Sequence, residues 1–214
     1  MSVRHALVIT LLLALPLSAA KKPKGVPMAK LPNQKAEIPN LQLPNPAQKC
    51  TNYAWAVAVA TMLKLQDVPL DQNFWVERAN YGDVCVDPLP TMERLTKVIE
   101  GRYTLDDGRK VQLDIKVIDG APTVPDDALA PLKHGMPLLV FWNSRAYVLH
   151  GAVYDEFIYP NGQRMYLIRE LQMTDLLAPA KEREVSFVNG TDDAAGISSI
   201  VFVHATILPT SQWW

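Results

Sequence analysis

The hydrophobic rhythm of the chain changes three times. Ala6 to Leu17 is a run of twelve residues, apolar except for Thr10. Lys21 to Pro46 then mixes Lys, Asn and Gln with prolines at 23, 27, 32, 39, 44 and 46. Those prolines exclude a helix and disfavour a central strand. The stretch is expected to run extended along the domain surface, its first half without fixed structure. From Tyr53 to Lys64 the residues are apolar nearly all round a helical wheel. This predicts a helix buried on most faces, N-capped by Asn52 and ended at Asp67-Val68-Pro69. A second helix is predicted from Asp71 to Asn80, stopped at Tyr81-Gly82. A third runs from Thr91 to Glu100, with Pro90 and Thr91 as its start signal.

After Gly101 the period shortens to two. Val111 to Val117 alternates apolar and polar residues, the mark of a half-buried strand. Pro125 to His134 predicts a short helix stopped at Gly135. Met136 to Trp142 is a buried strand, and Tyr147 to Phe157 is another. Asn161-Gly162 turns the chain into Arg164–Leu171. Val185–Val188 and Ile197–Ile207 complete the set. Helices first and an antiparallel sheet afterwards predict an α+β fold. No internal repeat is visible.

A length of 214 residues with an apolar fraction of 49% suits one globular domain, placed at 47–214. The net charge of −1 leaves no electrostatic footprint for nucleic acid or for an anionic membrane. The opening apolar run is short for a bilayer span. It follows Arg4 and His5 and precedes Ser18-Ala19-Ala20, so residues 1–20 read as a secretory signal, with an uncleaved anchor as the alternative. Residues 21–46 form the Pro-rich leader. The expected destination is secreted or periplasmic, with no membrane attachment once the signal is removed. In an oxidising compartment the two cysteines, Cys50 and Cys85, are expected to form one disulfide. It would close a loop of about 35 residues, worth roughly 3–4 kcal/mol in the chain-entropy model.

The window Gln48-Lys-Cys50-Thr-Asn-Tyr-Ala54-Trp55-Ala56-Val57 carries the chemistry. It resembles the start of papain-like cysteine peptidases, in particular C39-like bacterial exported relatives with a Cys-Trp-Ala-Ala motif. In those families a glutamine stands six residues before a nucleophilic cysteine that opens a long buried helix. Here Gln48 stands six before Ala54, and Trp55-Ala56 follow as the motif requires. The physical logic is that a helix N-terminus lowers a thiol pKa, while the glutamine amide and a backbone N–H form an oxyanion hole. Leu132 to Val140 resembles the family's helix-to-strand entry through Gly-x-Pro. Val148-Leu149-His150-Gly151-Ala152-Val153-Tyr154 resembles the strand bearing the catalytic histidine. Tyr166 to Leu171 resembles the strand ending in Arg-Asp-Pro, with Glu170 where the family has its orienting aspartate and Leu171 in place of the proline. The resemblance spans about residues 45 to 175 and implies a papain-like fold, its helical half packed on an antiparallel sheet half.

The departure is at Ala54, which has no nucleophile. The resemblance then implies a degenerate site of Gln48, His150 and Glu170 around an unfilled cysteine slot. Such a site would bind a peptide or protein segment in its cleft without cutting it, and it implies no metal and no cofactor. A second register makes Cys50 the nucleophile, working with His150 in an active peptidase or acyl-transfer enzyme. Its sulfur would stand about 6 Å of helical rise before position 54, and Pro44 would occupy the glutamine position. In the first register Cys50 matches the family disulfide that joins the segment before the nucleophile to a later loop, where Cys85 lies. A third alternative is a structural interaction module that kept the fold alone.

Each singled-out residue also has a plain reading. His150 and His204 can be core histidines, and His134 can close its helix. Trp55 can be core rather than a binding platform, and Glu170 a surface strand residue. Asn189-Gly-Thr191 matches a glycosylation triplet. Asp155-Glu156 and Asp192-Asp193 read as solvated turns, and neighbouring carboxylates alone make no metal site. The closing pair Trp213-Trp214 is expected to dock on the domain or on a partner. Nothing in the sequence sets an oligomeric state.

Overall fold

The computed structural model describes residues 25–41, 43, 54–79, 91–121, 125–179, 181–188 and 196–209. Within them the chain runs β1 (Ala29–Glu37), α1 (Ala54–Lys64), α2 (Gln72–Ala79), α3 (Met92–Ile99), β2 (Gly101–Thr104), β3 (Lys110–Asp119), α4 (Pro125–Lys133), β4 (Leu138–Trp142), β5 (Arg145–Ile158), β6 (Arg164–Thr174), β7 (Glu184–Val188) and β8 (Ile197–Leu208). The fold is α+β. The strands form one sheet in the order β2-β3-β8-β4-β5-β6-β7, with β1 also on β5, and every pairing is antiparallel. Among the described residues no helix is long and apolar enough to cross a membrane.

The sheet is buried on both faces at its centre, and alternate residues of each strand divide between two cores. Leu139, Phe141, Ala146, Val148, Val201 and Val203 meet α1, α2 and α3. Leu138, Val140, Tyr147, Leu149 and Ile200 meet Ala128, Leu129 and Leu132 of α4. This explains why β4 reads as the continuous run Leu-Leu-Val-Phe-Trp rather than as an alternation. α1 is apolar all round because the sheet takes one side and α2 another, so that Ala54 to Val59 are all buried. Trp75 of α2 is fully enclosed, with Phe74 and Tyr103 edge-on to its ring at 4.9 and 5.6 Å. Thr91 caps α3 by accepting from the Arg94 amide at 3.2 Å, the start signal expected there.

The leader holds a strand. β1 pairs with the second half of β5 although its residues are mostly polar and exposed. Its register slips between Leu31 and Gln34. Pro32, which has no N–H to donate, falls in that irregularity, and Asn33 takes φ +53° there. The backbone N–H of Asn33 donates to Asp155 Oδ1 at 3.1 Å.

That contact corrects one expectation. Asp155 and Glu156 are not solvated turn residues. They lie within the 14-residue β5 and are buried, at 2% and 7% exposure. Two adjacent carboxylates mid-strand persist because cations from other strands reach them. Arg169 donates to Asp155 through Nη2 at 2.6 Å and Nε at 3.0 Å, Lys30 Nζ lies at 3.0 Å, and Arg164 reaches Glu156 at 2.6 Å. The Arg169 hydrogen bonds, then that from Lys30, hold the Asp155 carboxyl down at about 2.

A carboxyl with a lowered folded-state pKa stabilises the fold above its unfolded value. That contribution is lost as pH falls through the folded value. Asp155→Asn is therefore expected to lower Tm by several degrees at neutral pH, with the gap to the parent closing between about pH 4 and pH 2. Thermal melts of both proteins across that range check it. A gap unchanged down to pH 2 would show that the charge of Asp155 does not act this way.

Candidate functional site

His150 sits where β5 changes neighbours. Up to Leu149 the strand pairs with β4, whose last partner contact is Leu138 with Leu149. From Gly151 onward it pairs with β1, starting at Glu37. On its other edge the register to β6 steps from Leu149–Met173 to Gly151–Gln172. His150 is thus the extra residue of a β-bulge, a device that re-aims one side chain. Its carbonyl accepts from the Ile38 amide at 2.9 Å, so the end of the leader strand also ties down the bulge.

The alternation of β6 shows which face the imidazole takes. Leu171 and Met173 belong to the α4-side core. Glu170, Gln172 and Thr174 therefore lie on the opposite face, the one covered by α1. Thr174 stands opposite Glu184 of β7 and donates its hydroxyl to Glu184 Oε1 at 2.9 Å. The second oxygen, Oε2, lies 3.0 Å from His150 Nε2. The imidazole is 17% exposed and the carboxylate 71%. Such an exposed pair adds little to stability, so its consequence is ring orientation. With Nε2–H donated to Glu184, the neutral tautomer leaves Nδ1 unprotonated and able to accept a proton. Gly151 completes the local packing: a Cβ there would lie 2.4 Å from Gln172 Oε1 and 3.2 Å from Gln172 Cβ. Its lack of a side chain lets Gln172 lie over the bulge beside His150.

The other residues singled out in the sequence are placed as follows. Ala54 is the first residue of α1, 1% exposed and part of the helical-side core. Trp55 is core at 4% exposure. Glu170 shares the face of His150 but lies beyond Gln172, whose Nε2 donates to Glu170 Oε1 at 3.4 Å. The carboxylate on the ring is that of Glu184, which sequence reasoning missed. His134 follows α4, and its amide bonds the carbonyls of Ala130 and Pro131. His204 pairs with Asp114 in the register of β3 and β8, and its ring stacks on Phe202 at 6.4 Å. Gln48, Asn52, Cys50 and Cys85, residues 1–20, Asn189 to Asp193, Trp213 and Trp214 lie outside the described residues. Among the described residues no three His, Cys, Asp or Glu side chains converge as metal ligands.

The arrangement can orient a base and offer hydrogen bonds from Gln172 and the imidazole. Glu184→Ala is expected to leave Tm within about 2 °C while changing the ring. Nitrogen-15 spectra of labelled imidazole in its neutral form should show His150 protonated at Nε2 in the parent and a tautomer mixture in the variant. An unchanged His150 spectrum would show that Glu184 does not set the tautomer.

No protein-family model, no curated protein and no solved structure matches this chain.

Proposed function

We propose that this chain is an exported protein with a papain-like cysteine-peptidase fold and a degenerate site, which binds a peptide or protein segment in its cleft without cutting it. One observation carries the reading. A buried helix starting at Ala54 packs on the same sheet face that presents His150, whose ring is held by a carboxylate. In an active enzyme of that kind a thiol stands at the helix start, where the helix dipole favours thiolate, and the imidazole takes its proton. At Ala54 there is a methyl group, so no bond to a scissile carbon can form. Without a nucleophile such sites keep roughly 10³–10⁴-fold over water, too little for peptide turnover. The imidazole and the Gln172 amide remain able to hydrogen-bond a peptide backbone. The apolar run from Ala6 to Leu17 supports export.

The full chain is expected to show no turnover of peptide libraries and to bind a subset of them, with binding weakened by His150→Ala. Ala54→Cys should gain labelling by a thiol-directed covalent inhibitor, and that labelling should fall when His150 is also replaced. Turnover by the unmodified chain that disappears on Cys50→Ser would overturn the proposal in favour of Cys50 as nucleophile. Absence of any peptide binding would leave a structural module instead.

A further inference from the structure

Glu184 is held in place more firmly than its exposure would allow by itself. It stands on β7, the last strand in the sheet order, and its side chain is largely in solvent. A long exposed side chain tied only to an imidazole would exchange among rotamers, since one surface contact of this kind does not offset the lost freedom. Its two oxygens, however, take separate partners. Oε2 meets His150 Nε2 at 3.0 Å, and Oε1 accepts from the Thr174 hydroxyl at 2.9 Å.

Thr174 is the fixed end of that contact. It is buried. Its strand is paired on both sides at this point, with Val148 of β5 and with Glu184 itself. A β-branched side chain on such a backbone has few rotamers. Immediately beyond, Asp175 closes the connection from β6 to β7. Its amide donates to the Arg183 carbonyl at 2.7 Å, and its carboxylate accepts from the Leu177 amide at 2.9 Å and pairs with Arg145 at 2.8 Å. A carboxylate offers only acceptors, so the hydroxyl proton of Thr174 is the one shared with Oε1. Gln172, two residues earlier on the same face, turns its amide to Glu170 at 3.4 Å.

We propose that Thr174 is a positioning residue: its buried hydroxyl fixes the Glu184 carboxylate and, through it, the tautomer of the His150 ring. The relay of hydroxyl, carboxylate and imidazole runs across three adjacent strands, β6, β7 and β5. It keeps the proton on Nε2, so that whatever ligand meets this face finds Nδ1 as an acceptor. The inference goes beyond the proposed peptide cleft and does not need it.

The test is nitrogen-15 spectroscopy of labelled imidazole in its neutral form, on the full chain. Thr174→Val removes the hydroxyl with little change of shape and is expected to lower the ratio of Nε2-protonated to Nδ1-protonated His150 by about threefold or more. Thr174→Ser, which keeps the hydroxyl, should hold the parent ratio. In a Glu184→Ala background Thr174→Val should have no further effect on the ratio, because the hydroxyl then has nothing to hold. A merely structural Thr174 would lower Tm without this pattern. Thr174→Ala replaces the valine variant if circular dichroism shows the latter misfolded. The parent ratio in a folded variant without the hydroxyl would overturn the proposal. So would a serine variant that behaves like valine, or an effect of Thr174→Val that persists undiminished when Glu184 is alanine. Failure of the proposed cleft would appear in peptide binding and would leave this ratio unchanged.

Discussion

Everything at the candidate site depends on the exchange of partners along one edge of β5. β4 is five residues long and β5 fourteen, so β4 can satisfy only the first third of that edge. Backbone groups left unpaired in a strand otherwise buried would be unfavourable. β1 takes over from Gly151 and leaves His150 at the seam, its carbonyl tied to Ile38. The bulge on the opposite edge removes one residue from the pleat at the same point. One side chain is thereby displaced from regular alternation, and it is the histidine. The same long edge needs its charges balanced further along, which Lys30 and Arg169 accomplish around Asp155.

Much of the fold was legible because most of its elements bury one or more faces. The helices at Ala54, Gln72 and Met92 carry apolar residues at helical spacing, and the strands of the second half alternate or run apolar according to burial. β1 was legible only as an extended surface segment. Its affinity for the sheet lies in backbone hydrogen bonds, which leave no mark in a string of Lys, Asn and Gln. β2 was missed because four residues with one buried side chain, Tyr103, make no pattern. Asp155 and Glu156 misled because paired carboxylates suggest a turn. The residues that make their burial tolerable come from positions 30, 164 and 169, and only the register brings them there.

The site was legible in its histidine and less so in its surroundings. His150 stands out through the order of short motifs around it. The row Glu170, Gln172, Thr174, polar against apolar Leu171 and Met173, is a visible period-two signal for a polar face beside it. Glu184 could not be read, since its approach to the ring spans β6 and depends on where the β5–β6 register slips. A local pattern reports which face a residue takes, whereas a contact across two strands is a property of the assembled sheet.

The leader strand has a kinetic consequence. Asn33 and Asp155 are hydrogen-bonded across 122 positions of chain, while β5, β6 and β7 are joined by neighbouring hairpins. Closing so long a loop carries its entropic penalty before any contact rewards it. The β5–β6–β7 meander can form first from local pairings, and β1, synthesised well before it, is then the last to settle. Until it does, the far half of β5 remains an unprotected edge, the part of a nascent sheet most prone to join a neighbouring molecule.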